Sequence, residues 1–158
     1  MPKSILLNNT ILFLCASIYL GTGVMLVFFQ LPLETQLTPD NYAVVFVKPV
    51  ELATQFFTWM TIVMFLTGFV MLFTEWFSGI RWVPIVVLLA VTAATALTIF
   101  VIFDLNKELA SGVKDQQRLS VLLHEWAGLN RVRAALWVVQ WTSMMYWFYR
   151  LAGAGRGH

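Results

Sequence analysis

Charge is what this sequence has least of. Only 11% of its 158 residues are Asp, Glu, Lys or Arg, while 59% are hydrophobic; a soluble domain carries about 25% charge. A soluble fold could not cover its surface with so little. Cysteine is nearly absent too: Cys15 stands alone, which excludes an internal disulfide. Histidine occurs twice, at His124 and at His158 in the terminal tail. One histidine, one distant cysteine and scattered acids do not supply the three or four ligands of a zinc site, so no metal is expected. The net charge of +2 is small and dispersed, which speaks against nucleic acid as a partner. There is no Walker loop, dinucleotide fingerprint, HExxH, nucleophile elbow or internal repeat, and no cofactor is expected.

What is present is long runs without charge. No charged side chain occurs between Lys3 and Glu34, from Leu52 to Thr74, or from Trp82 to Phe103. A fourth run, Ala134 to Tyr149, is shorter and rich in aromatics. A transmembrane helix needs about 20 apolar residues to cross about 30 Å of hydrocarbon. The first three runs qualify directly, and the fourth does so if its helix begins upstream. The first is too long for the apolar part of a signal peptide and has no small-x-small cleavage site after it, so it is read as a retained helix.

The expected fold is therefore all-α: a four-transmembrane-helix bundle in one domain, with spans at about 9–31, 50–76, 83–104 and 126–150. Pro32 is expected to close the first helix, where Gly21 and Gly23 would let a neighbour approach. A short amphipathic helix is expected between the first two spans, capped by Thr38 with Pro39 at its first position, and Pro49 is expected to start the second span. The small residues of "AVTAATALT" form a packing face on the third helix. Trp76, Trp82, Tyr146, Trp147 and Tyr149 are expected to mark one membrane boundary, and "AGAGRGH" is read as a frayed tail.

Four spans would put both termini on one side and the two long loops on the other. The loop side then collects Lys48, Glu51, Asp104, Asn106, Glu108, His124, Glu125, Asn130, Arg131 and Arg133. The terminal side holds Lys3, Glu75, Arg81, Arg150 and Arg156. Basic residues are nearly balanced between the two, so the positive-inside rule assigns no orientation.

The stretch "LLHEWAGLNRVRAALW" carries the most unusual chemistry. Read as one helix from Leu119 to Arg150, it spans about 48 Å, longer than the hydrocarbon core. Trp126, Asn130, Arg133, Trp137 and Gln140 are spaced so as to form one stripe, with His124, Gly128 and Arg131 on another face. An arginine at the edge of hydrocarbon needs a partner, and Glu51 and Asp104 are the expected carboxylates. Two readings stay open: Arg133 as a structural ion-pair clamp, or Arg133 as a ligand-binding or catalytic group. His124 is the one histidine placed to act near neutral pH as a general base.

The motif Trp126-x-x-x-Asn130-x-Val132-Arg133 resembles one found in the anthrone-oxygenase-like family of small four-helix membrane proteins. That family also carries Pro-Leu-Asn-x-x-Leu at the end of its third helix. Here Leu105, Asn106 and Leu109 match it, with Asp104 in place of the proline. The resemblance implies a pocket at the loop face for a flat polycyclic phenol, oxidised without metal or flavin. It implies His124 as the base, with Asn106, Asn130 and Arg133 holding the developing oxyanion; His124 and Arg133 are thus the candidate catalytic residues, and Asn106, Trp126, Asn130 and Trp137 the candidate substrate-binding ones. The other reading is a non-catalytic accessory subunit of a larger membrane complex, or a homo-oligomer. In either case the expected setting is the lipid bilayer, as a multi-pass protein of a bacterial inner membrane.

Overall fold

The computed structural model describes residues 2–154, and among them every regular element is helical. Helix α1 (Lys3–Met25) runs without a break through a π segment, Leu26–Gln30, into a 3-10 stretch, Leu31–Gln36. The second rod opens with a π segment, Ala43–Val47, and continues as α2 (Lys48–Glu75). The third consists of α3 (Trp82–Leu97), a π segment Thr98–Ile102 and α4 (Phe103–Ala110). Helix α5 (Gln116–Ala154) is a single run of 39 residues. Arg156 and His158 lie outside the described residues.

Three of these rods, Lys3–Gln36, Ala43–Glu75 and Trp82–Ala110, are long and apolar enough to cross a membrane. By composition and length they fit a membrane protein. Helix α5 has the length but less apolar character, because Gln140, Thr142, Ser143 and the basic residues at its head dilute the run.

The prolines act differently from expectation. Pro32 does not close the first helix; it sits near the start of the 3-10 stretch, where its missing N–H costs little, and the chain stays helical to Gln36. Pro49 does stand in the first turn of α2, but the rod continues upstream of it through the π segment. The wide π turn just before it, with the Lys48 N–H bonded to the Ala43 carbonyl, accommodates a residue that has no N–H to give. The separate amphipathic helix is consequently absent: 43–47 is the head of the second rod. Asn41 organises the turn before it, its Oδ1 accepting the Thr38 N–H at 2.8 Å while the Thr38 carbonyl accepts from the Asn41 and Tyr42 amides. The third helix also outlasts its expected end at 104, so the loop that follows is short. Gly112, with φ of +90°, makes the reversal there, and Asp115 caps α5 through the amides of Gln117 and Arg118.

Around the molecule α1 packs on α2 and α5, and α3 packs on the same two, so each helix has two neighbours. The small face of α3 (Ala90, Val91, Ala94) is buried as expected. Close approach occurs at Gly23, where an added Cβ would stand 2.9 Å from Cε3 of Trp137. Gly21 has nothing within 4 Å and supports no such contact.

Two apolar clusters divide the interior. One joins Leu12, Tyr19, Met64, Met71, Val83, Val87, Trp137, Met144 and Trp147. Trp147 is only 1% exposed and donates to Oε1 of Glu75 at 3.0 Å, so it is a core residue and not a boundary anchor. The other cluster joins Leu26, Leu31, Leu37, Tyr42, Ile102, Leu105, Leu109, Leu119, Leu122 and Trp126 at the end where the two longer connections lie. Tyr42 pins that end: its hydroxyl donates to the Leu109 carbonyl at 2.9 Å and accepts the Val113 N–H at 2.6 Å. Gln116 adds a bond from Nε2 to the Leu37 carbonyl, and Arg118 reaches Glu108 across the reversal.

Candidate ligand-binding site

Between these clusters lies a cavity of about 510 Å³, within the usual size range of small-molecule pockets. All five stripe residues of α5, Trp126, Asn130, Arg133, Trp137 and Gln140, line it. Asn106 lines it from α4 and accepts the Trp126 Nε1–H at 2.9 Å, so the two motif residues lock each other in place. Two π segments contribute walls through Leu26, Gln30, Thr98, Ile99 and Ile102, and the third directly precedes Pro49 and Val50. Widened turns of this kind often stand at functional sites.

The polar groups facing the cavity differ in what they have left to offer. The hydroxyls of Thr22, Thr54, Thr58 and Thr98 donate to carbonyls four residues back in their own helices. Tyr19 donates to the Phe57 carbonyl at 3.0 Å and lies 2.7 Å from the Thr61 hydroxyl, while its ring packs on Phe57 and Trp137. Asn130 gives Nδ2 to the Trp126 carbonyl, yet its buried Oδ1 has no partner among the described residues. The buried Oε1 of Gln140 has none either. Arg133 is partly buried, and its guanidinium carbon stands 4.9 Å from the Trp137 ring centroid. This cation–π contact is worth about 0.5–2 kcal/mol, well short of the desolvation cost of a charge.

The ion pair expected for Arg133 does not form. Glu51 pairs with Lys48 at 3.2 Å and Asp104 with Lys107 at 2.9 Å, each one turn away on its own exposed helix face. Their side chains are 52% and 73% exposed, so both acids answer to water and to a local lysine, and neither reaches inward. His124 is also misplaced for the role of base. Its side chain is 77% exposed and stands outside the cavity, with Nδ1 3.5 Å from Oε1 of Glu34. His124 lies off the stripe of α5 that lines the cavity.

Glu34, Tyr19 and Gln30 escaped the sequence reading. Glu34 is the first charge after a long neutral run, and assigning Pro32 as a helix end hid its inward placement. Tyr19 offered a weaker signal, a hydroxyl at mid-helix that needs a partner when buried.

The cavity opens sideways. At the far end α2 and α3 touch closely, since a Cβ on Gly68 would meet Leu88 at 2.8 Å. Nearer Pro49 the exposed side chains Thr58, Ile62 and Ile99 edge the cavity, before the second and third rods meet again where α4 packs on Ala43–Val47. The second apolar cluster closes the end near the loops, leaving the gap between α2 and α3 as the opening. Among the described residues no cluster of His, Cys, Asp or Glu is arranged to hold a metal ion. Comparison with protein-family models, curated proteins and solved structures gave no match.

Proposed function

We propose that the chain is a multi-pass membrane protein built as a four-transmembrane-helix bundle, whose cavity binds a flat aromatic or quinone-like molecule taken from the lipid. The observation that carries this reading is Arg133: a guanidinium with no carboxylate partner among the described residues, facing a cavity beside Trp137. A charge at membrane depth without a protein counter-ion points to a bound group as its partner. A ligand carbonyl or phenolate meets that need, and the Trp126 and Trp137 rings offer flat apolar walls. Helix α5 is taken as the fourth span because it packs against both α1 and α3.

The resemblance to anthrone-oxygenase-like proteins supports the same ligand class, since Asn106, Trp126, Asn130 and Arg133 are motif residues and all line the cavity. The test is gentle extraction from the native membrane followed by mass spectrometry of everything that comes with the protein. A stoichiometric aromatic or quinone that is lost from an Arg133→Met variant is the expected result. Stoichiometric protein partners with no small molecule would overturn the reading in favour of an accessory subunit.

A further inference from the structure

A smaller cavity of about 230 Å³ adjoins the first, and Leu26, Gln30, Pro49, Val50 and Trp126 line both. Its walls are apolar apart from Gln30 and one acid, Glu34. Glu34 differs from the other acids of the chain. Glu51, Asp104 and Glu108 sit in exposed ion pairs, Asp115 caps α5, Glu75 accepts from Trp147, and Asp40 and Glu125 are exposed. The Glu34 side chain is 21% exposed, and its Oε2 is buried with no hydrogen-bond partner among the described residues. Its Oε1 lies 3.5 Å from Nδ1 of His124, whose imidazole stands on the outer side, exposed. A buried carboxylate oxygen without a donor is costly.

We infer that the two cavities form one elongated binding site, and that Glu34 accepts a hydrogen bond from a hydroxyl or N–H on the ligand that meets Arg133. This rests on the aromatic-ligand reading above and narrows it: the molecule carries an acceptor for Arg133 and, on a ring reaching the smaller chamber, a donor for Glu34. Trp126, which borders the Glu34 chamber, and Arg133 are seven residues apart on α5, about 10 Å along the helix. That rise is about the length of three fused rings. Phe46 meets Trp126 edge-on with centroids 4.7 Å apart, so the passage between the chambers is aromatic.

The test uses the full chain in lipid nanodiscs, with Trp quenching as the binding signal. The two probes are anthraquinone, which has carbonyls alone, and 2-hydroxyanthraquinone, which adds a donor, at a pH that keeps the hydroxyl protonated. The native protein should bind the hydroxylated probe about tenfold tighter, the size of one hydrogen bond to a charged acceptor. Glu34→Leu should erase that preference while anthraquinone still binds, which also reports an intact fold. Should the leucine variant fail to fold, Glu34→Gln should cut the preference several-fold. A preference that survives in these variants, or is missing from the native protein, overturns the inference alone. Failure of both probes to bind the native protein overturns the aromatic-ligand reading and this inference together.

Discussion

Arg133 and Trp137 are one turn apart on α5, with the guanidinium over the indole and, among the described residues, no carboxylate paired with it. The cation is therefore held by a neutral ring on its own helix and is not tied to another helix. A helix clamp and a ligand site make opposite demands on such a residue. A clamp loses stability when removed; an unpaired charge kept for a ligand does not.

Arg133→Met should accordingly leave stability unchanged or raise it by about 1 kcal/mol, because a desolvated charge is exchanged for an apolar side chain of similar length. Binding of an anthraquinone probe should fall at least tenfold. Unfolding in mixed micelles and Trp quenching measure the two effects on the same sample. A large stability loss with binding retained would return Arg133 to the role of clamp.

Gly23→Ala places a methyl 2.9 Å from the Trp137 ring, a rigid neighbour already packed on Tyr19. Destabilisation of about 1–3 kcal/mol is expected from such overpacking, with a shift in Trp emission as the ring moves. Gly21→Ala, two residues away and facing open space, is the control and should be neutral or slightly stabilising.

Tyr42→Phe removes one hydroxyl that serves two backbone groups, the Leu109 carbonyl and the Val113 amide. Leaving them unpaired should cost about 1–3 kcal/mol. Amide exchange at Val113 should accelerate, since the reversal between α4 and α5 loses its anchor to the second rod. Exchange unchanged at that amide would show that Gln116 and Arg118 hold the reversal by themselves.

His124→Ala should alter probe binding less than twofold, because the imidazole stands in the open outside the cavity wall. A loss as large as that of Arg133→Met would bring His124 back as a site residue and would contradict its placement here.

Much of this architecture was legible in the sequence because hydrocarbon is intolerant of charge. The neutral runs marked three rods to within a few turns, and the 3.6-residue period of 126–140 placed Trp126, Asn130, Arg133, Trp137 and Gln140 on one wall. Rod ends were less legible. Pro32 read as a stop and Pro49 as a start, yet the first rod runs on through a 3-10 stretch and the second begins upstream in a π segment, and those irregular turns leave no clear mark in composition. Periodicity also says which face a residue occupies on its own helix but not what the facing helix presents. Glu51 and Asp104 were at the right height for Arg133 and on the wrong sides of their helices. Glu34 became visible only once the first rod was seen to continue past Pro32.

The sideways gap between α2 and α3 changes how affinity for this cavity has to be reckoned. On the proposed membrane reading, a molecule arriving through that gap leaves lipid, not water, so the hydrophobic effect has already been collected before it reaches the protein. What remains to discriminate one bilayer solute from another is shape and polar pairing, the contribution of Arg133, Asn130 and their neighbours. A dissociation constant expressed per volume of buffer would flatter every greasy compound alike; expressed as a mole fraction of lipid, it would rank them by what the cavity recognises.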